Sequence, residues 1–274
     1  MAMLDLAAAA SQAWLPMLVG TYTDTDSKGI YQYRFNQESG TAELTAVTPA
    51  RNPSFVIFSD NGDNVYAVDE SGTDDDALAA FRYEGIDKPL THINAVATGG
   101  KAPCNIFQTK NLIYTANYTG GSITEFRLAD DGSIKKANKV MTFSLTGKAP
   151  DKTRQQSAHL HCVTADDRHA RGSADIHLTP DGRFLYASNR LQGDGIAIFS
   201  VDKESGTLTR AGYQPTARHP RNFAITPNGR FLLCACRDAD TIQVFAIDPD
   251  TGMLSDTSHD IHVPHPVCIA IGSK

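Results

Sequence analysis

Two stretches of this chain align without a gap. One is Ile176-His177-Leu178-Thr179-Pro180-Asp181-Gly182-Arg183-Phe184-Leu185-Tyr186-Ala187-Ser188; the other is Phe223-Ala224-Ile225-Thr226-Pro227-Asn228-Gly229-Arg230-Phe231-Leu232-Leu233-Cys234-Ala235. Each reads as an apolar strand, a Pro-Asp/Asn-Gly turn and a second apolar strand. Asp-Gly and Asn-Gly supply the positive φ that tight hairpin turns demand. The offset of about 47 residues is that of one β-propeller blade. A third copy is Phe55-Val56-Ile57-Phe58-Ser59-Asp60-Asn61-Gly62 followed by Val65-Tyr66-Ala67-Val68. A fourth, degenerate copy runs Cys104-Asn105-Ile106-Phe107-Gln108, then Leu112-Ile113-Tyr114-Thr115-Ala116.

A second turn signature follows later in each unit: Asn36-Gln37-Glu38-Ser39-Gly40, Ala129-Asp130-Asp131-Gly132, Asp202-Lys203-Glu204-Ser205-Gly206 and Asp248-Pro249-Asp250-Thr251-Gly252. Each follows a strand such as Ile242 to Ile247, and a short Leu-Thr strand follows most of them. Every full unit therefore predicts four antiparallel strands, A to D, in meander order. The fold class is all-β: a β-propeller of four-stranded blades, about five recognisable plus a partial one. A β-solenoid is the structural alternative, but its units are usually shorter. The chain opens its repeats on a B-like strand from Met17 to Tyr22 and finishes on an A-like strand from Pro266 to Ile271. One blade shared by these two strands leaves no sheet edge open there. Residues 1–16 read as an N-terminal extension and 17–274 as the propeller. The alanine run before Trp14 lacks a basic start and is interrupted by Asp5, which fits an extension better than an export leader.

Composition narrows the function. The 274 residues carry a net charge of −6 with acids and bases interspersed, which disfavours nucleic acid as a partner. No apolar run approaches the ~20 residues of a membrane span. Five cysteines, Cys104, Cys162, Cys234, Cys236 and Cys268, are an odd number. They read as free, buried thiols of a cytoplasmic protein. Cys234 and Cys236 share a strand face, but their spacing is not that of zinc or redox pairs. A monomer or weak dimer is expected.

In a propeller, polar residues at A-strand starts and after B strands gather at one mouth of the central channel. The A strands offer Asn105, His159, His161, His177, Arg221 and Asn222. The loops after B strands offer Asp69, Glu70, Asn117, Asn189, Arg190 and Arg237. His159 and His161, two apart in a strand, point the same way. They suit proton transfer and oxyanion binding, metal ligation with further partners, or structural hydrogen bonding in the channel. Arg190 and Arg221 suit bidentate capture of carboxylate or phosphate, or a blade-to-blade tie through Asp175 or Asp238. Glu70 adjoins Asp74 to Asp76, which reads as a solvated acidic loop. His169 takes no role. Neither a Gly-x-Ser-x-Gly elbow nor a nucleotide-binding loop is present.

Gly20-Thr21-Tyr22-Thr23, Ser157-Ala158-His159-Leu160-His161, Leu185-Tyr186-Ala187-Ser188-Asn189-Arg190 and Pro220-Arg221-Asn222-Phe223 occur in the order of the seven-bladed lactonase propeller family. The chain resembles that family, which includes propeller-type 6-phosphogluconolactonases, from Met17 to Ile271. The resemblance implies cofactor-independent hydrolysis of a sugar lactone, most plausibly 6-phospho-D-glucono-1,5-lactone, in the pentose phosphate route. It implies His159, His161 and Arg190 as catalytic residues. Arg221, Asn222, Asn189, Asn117, Glu70 and Arg237 would bind the anionic substrate. The alternative is a non-catalytic propeller scaffold or decayed paralogue, and a metal-dependent lactonase is a third reading. One departure stands out. Ser157 to Thr164 reads as an A strand whose partners are missing, and a later blade begins at Ala174. Either the ring is contracted near 165–173, or blades are absent from this sequence, along with an acidic residue that relatives draw from that stretch.

Overall fold

The structure is a computed structural model that describes residues 13–144, 158, 160–161, 175–190 and 193–272. The 165–173 junction, His159, Cys162 and His169 lie outside the described residues.

Strands β1 (Trp14–Thr21), β2 (Gly29–Asn36) and β3 (Ala42–Pro49) open the fold. Three full blades follow in sequence: β4 (Val56–Phe58), β5 (Asn64–Val68), β6 (Ala77–Arg82) and β7 (Thr91–Ala97); β8 (Pro103–Thr109), β9 (Leu112–Asn117), β10 (Ser122–Arg127) and β11 (Lys139–Thr142); then β12 (Ile176–Leu178), β13 (Phe184–Asn189), β14 (Gly195–Val201) and β15 (Leu208–Pro215). The last blade comprises β16 (Pro220–Ile225), β17 (Phe231–Cys236), β18 (Thr241–Ile247) and β19 (Leu254–Asp256), with β20 (Ile261–His262) also pairing β18. β21 (Pro266–Ile271) returns to pair with β1, in the order β21-β1-β2-β3. The shared terminal blade expected from the sequence is present, and β1 begins at Trp14, three residues ahead of the strand read from the sequence. All pairings are antiparallel, so the fold is the five-bladed propeller arrangement that the repeats predict.

The turn chemistry works as its composition suggests. In the two best repeats the Thr179 and Thr226 hydroxyls bond Asp181 and Asn228, while the N–H groups of Phe184 and Phe231 donate to the same hydroxyls. Gly182 and Gly229 sit at φ 69° and 70°, where a Cβ would be strained. The second turn signature has a job between blades. The Tyr66 hydroxyl donates to the Gly132 carbonyl at 3.1 Å, and Tyr186 donates to Gly252 at 2.8 Å. Each tyrosine thus reaches from a B strand to the outer turn of the next blade.

Alternating strand residues bury both faces of the sheets in four apolar clusters. Tyr186, Ile198 and Phe223 join the β12–β15 blade to the β16–β19 blade. Phe35, Leu233 and Ile269 join the latter to the terminal blade. Leu18, Val65 and Phe81 continue to the β4–β7 blade, and Leu78, Ile113 and Phe126 continue to the β8–β11 blade. Among the described residues no such cluster joins the β8–β11 blade to the β12–β15 blade. The inner strand β12 is correspondingly uncovered: Ile176 is 48% and Leu178 52% exposed, whereas inner strands β8, β16 and β21 carry buried residues.

Residues 160 and 161 lie beside β8. The Cys104 thiol lies 3.5 Å from the Leu160 carbonyl and 3.7 Å from that of His161. A Cβ on Gly121 would come within 2.6 Å of the Ala158 carbonyl.

Four inner strands are entered in one unusual way. Asn52, Ala102, His219 and His265, each just before a proline, have φ of 39°, 53°, 62° and 44°. Left-handed conformations cost non-glycine residues of order 1–3 kcal/mol, so they persist where the surroundings fix them. The fixing bonds are repeated. Ala102 N–H donates to Asp76 at 2.7 Å, His219 N–H to Asp194 at 2.9 Å and His265 N–H to Asp240 at 2.8 Å, while Asn52 N–H donates to the Thr23 hydroxyl at 3.0 Å. Asp76 is fully buried and also accepts the N–H groups of Ser71, Gly72 and Thr73. It is thus a structural staple, which corrects its reading as part of a solvated loop.

Phe223 is fully buried, so Phe223→Ala should lower the unfolding free energy by about 3–5 kcal/mol. Leu178→Ser should change it by no more than about 0.5 kcal/mol, because β12 has little cover to lose. Urea titrations of the two variants would check both values.

Candidate active site

Tyr22 follows β1, Glu70 follows β5 and Tyr118 follows β9. Arg190 follows β13, His219 and Arg221 flank the start of β16, and Arg237 follows β17. Because the blades are arranged radially, these strand ends converge from distant parts of the chain: 199 residues separate Tyr22 from Arg221. Of the predicted site residues, Arg190, Arg221, Arg237, Glu70 and His161 fall into this neighbourhood.

Arg221 is held by a relay. Its Nη2 donates to the Tyr22 hydroxyl at 3.0 Å, the hydroxyl donates to Glu70 Oε2 at 2.9 Å, and the Ser54 hydroxyl donates to the same oxygen. The guanidinium also lies 5.5 Å from the centre of the Tyr22 ring. Burial raises the Glu70 carboxyl above its ordinary range, against the pull of Ser54, Arg221 and Tyr22. Burial likewise raises the Tyr22 phenol, so its proton stays on.

Arg190 is held by a second relay. Its Nη1 lies 3.4 Å from His219 Nε2, and His219 Nδ1 lies 2.9 Å from Asp238 Oδ2. Asp238 also accepts from Arg237 Nε at 2.6 Å, and mainly for that reason its pKa falls to about 2. Burial, then the charges of Arg221 and Arg237, lower the Arg190 pKa. Tyr22 and Tyr118 pull the other way. Three guanidinium groups therefore share one electrostatic neighbourhood. Among the described residues neither Arg190 nor Arg221 has a carboxylate at ion-pair distance, so neither makes the direct blade tie through Asp175 or Asp238 weighed from the sequence. Arg190 and Arg221 thus have neutral hydrogen-bond partners, whereas Arg237 is paired with Asp238.

His161 packs its ring edge-on against Tyr118, with ring centres 5.0 Å apart, and is exposed. Asn189 is exposed at the end of β13.

Two expected contacts are committed elsewhere. Asn117 is fully buried: its Nδ2 donates to Ser122 and Thr124, and its Oδ1 accepts from Thr115. Asn222 donates to Asp175 at 2.6 Å and accepts from Ile269 N–H at 2.8 Å, tying three inner strands together. Their amides hold the blades that carry the site. His177 is bound at 3.1 Å by Asp175 and packs on Phe223.

Tyr22, His219 and Asp238 were not legible as site residues. Tyr22 lies within the Gly20-Thr21-Tyr22-Thr23 motif, and His219 occupies the same pre-proline position as Asn52, Ala102 and His265. That positional equivalence was the available signal.

The fold is a β-propeller, and three arginines lie close together at its mouth. The chain belongs to the lactonase, seven-bladed β-propeller family, whose profile matches residues 16–171 and 165–271. It is similar to the 6-phosphogluconolactonase of Formosa agariphila, 30% identical over 342 aligned positions covering 90% of this chain and 96% of the relative. The Bacillus subtilis 6-phosphogluconolactonase is 25% identical, with 92% and 96% covered. A Bacteroides fragilis protein described as a candidate 6-phosphogluconolactonase has a crystal structure 36% identical in sequence, with a TM-score of 0.92 over 96% of this chain and 99% of that one. The Formosa alignment is longer than this 274-residue chain, so the relative carries chain that this one lacks.

Because burial raises the Glu70 carboxyl, its charge opposes folding at neutral pH, and that penalty vanishes as pH falls through its folded-state pKa. Glu70→Gln, whose amide oxygen can still accept from Tyr22 and Ser54, should therefore raise Tm at pH 8. The advantage should narrow steadily toward pH 4.5, as read by scanning calorimetry.

Proposed function

We propose that this protein is a carboxylic ester hydrolase that opens a sugar lactone, with 6-phospho-D-glucono-1,5-lactone as substrate. The observation that carries this reading is the convergence of Arg190, Arg221 and Arg237 with no direct carboxylate on the first two. A phosphorylated aldonolactone brings a dianion and a reactive ester together. A guanidinium fork suits both the phosphate oxygens and the oxyanion that forms when water attacks the lactone carbonyl.

A strained cyclic ester needs little more than positioning, a proton acceptor for the attacking water and charge stabilisation. His161, exposed beside Tyr118, is proposed as the proton acceptor, together with His159. Arg190 stabilises the developing negative charge, while Arg221 and Arg237 hold the phosphate. Asn189 and Glu70 complete the polar lining, Glu70 through the Tyr22 hydroxyl. The product, 6-phosphogluconate, belongs to the oxidative pentose phosphate route. The buried thiols of Cys234, Cys236 and Cys268, none in a disulfide, support a cytoplasmic setting.

The uncovered inner strand β12 favours a second reading, a non-catalytic scaffold derived from the lactonases. Lactone consumption separates the two. Purified protein should consume 6-phospho-D-glucono-1,5-lactone faster than the spontaneous background, and a rate equal to background would leave the scaffold. Arg190→Ala should lower kcat/KM by about 10- to 100-fold, with a smaller loss on unphosphorylated glucono-1,5-lactone. His161→Ala should lower kcat at little changed KM.

A further inference from the structure

His219 takes no part in the lactone chemistry proposed above, yet it touches Arg190. It is 9% exposed, its φ is 62°, and its main-chain N–H is captured by Asp194. The backbone is thus fixed in a conformation that few side chains other than glycine, asparagine and aspartate adopt readily. The ring is fixed as well. Nδ1 lies 2.9 Å from Asp238 Oδ2, which makes Nδ1 the protonated nitrogen and leaves the Nε2 lone pair facing Arg190 Nη1 at 3.4 Å.

We propose that His219 is a positioning residue for Arg190: the neutral imidazole accepts a guanidinium hydrogen and holds the arginine in its anion-binding pose, and protonation of the ring releases it. This rests on the anion-binding reading of the mouth. The logic is one of charge. A carboxylate bonded directly to Arg190 would fix it equally well, but would neutralise it. An uncharged ring placed between Asp238 and Arg190 fixes the guanidinium and leaves its charge for the ligand. The Ser54–Glu70–Tyr22–Arg221 relay has the same order, carboxylate, neutral aromatic group, guanidinium. Two unrelated aromatic side chains thus serve two arginines in one way.

Protonation inverts the geometry. An imidazolium has a hydrogen on Nε2, which would point at an N–H of Arg190, so the contact becomes donor against donor and cation against cation. The charged groups facing the ring are Asp238 and Arg237 from the turn after β17, Arg190 from beyond β13, and Asp194 ahead of β14. Burial, Arg237 and Arg190 keep the ring neutral, against the pull of Asp238. His219 therefore titrates below the ordinary histidine value of about 6.5, and Arg190 is engaged above that titration and released below it.

Two readouts independent of turnover test this. In the first, imidazole NMR titrations assign His219 by its absence in His219→Asn, a residue that tolerates the left-handed backbone. His219 should titrate below about 6.5, and its pKa should rise by about half a unit or more in Arg190→Gln. In the second, inorganic sulfate, which does not itself titrate between pH 5 and 8, serves as the anion probe. Wild-type affinity should fall about tenfold as pH drops through the His219 titration. His219→Gln, which can still accept from Arg190, should bind sulfate without that pH break, and His219→Ala should bind about tenfold more weakly at pH 8. A His219 titration unmoved by Arg190→Gln, or a sulfate profile shared by wild type and His219→Ala, would overturn the proposal while leaving any lactonase activity standing. Conversely, protein without lactonase activity that keeps both signatures would remove the proposed substrate and leave the His219 role intact.

Discussion

A four-stranded sheet has two faces, and among the described residues a neighbouring blade covers the facing sides at four blade-to-blade contacts. That covering is the constraint from which the remaining features follow. It places Phe223, Phe35, Phe81 and Phe126 in four successive clusters. It also fans the blades so that their inner strands start at one common mouth. The strain of four left-handed residues ahead of prolines is tolerated because the preceding blade supplies an acceptor for each N–H. Blade packing and the entry bonds are thus coupled: loosening one interface would release the residue that opens the next inner strand.

The same coupling brings chemistry to the mouth. Asp194 fixes the backbone of His219, and Asp238 fixes its ring. Asp175 and Asn222 tie the starts of β12, β16 and β21, which sets where Arg221 emerges. Acidic and amide side chains in this protein are largely spent on alignment, and the guanidinium groups of Arg190 and Arg221 are left with neutral partners. Keeping Arg190 and Arg221 near one another without a direct carboxylate is energetically costly in a resting protein, and the proposed anionic substrate would relieve that cost.

The uncovered strand β12 sets this chain apart from the seven-bladed plan of its family. Among the described residues apolar clusters join the blades at four contacts, and Ile176 and Leu178 of β12 are exposed. His161 packs on Tyr118, and the charge of Tyr118 acts on Arg190.

Much was legible in the sequence because it is encoded locally. The Thr-Pro-Asp/Asn-Gly turns, the alternating strands and the blade shared by the termini follow from period-2 patterning and from residues that accept positive φ. Arg190 and Glu70 were readable as mouth candidates because the repeat fixes where each B strand ends, and Arg221 because it fixes where each A strand starts. Three-dimensional packing decided the rest. Nothing local distinguishes Asn117, sealed inside its blade, from Asn189, exposed at an equivalent strand end. Asp76 looks like its acidic neighbours until burial makes it a staple. Tyr22 and His219 became partners of arginines only when blades 199 and 29 residues away in sequence were brought against them, since a hydrogen bond between distant segments depends on how the blades pack and leaves no mark on the segments themselves.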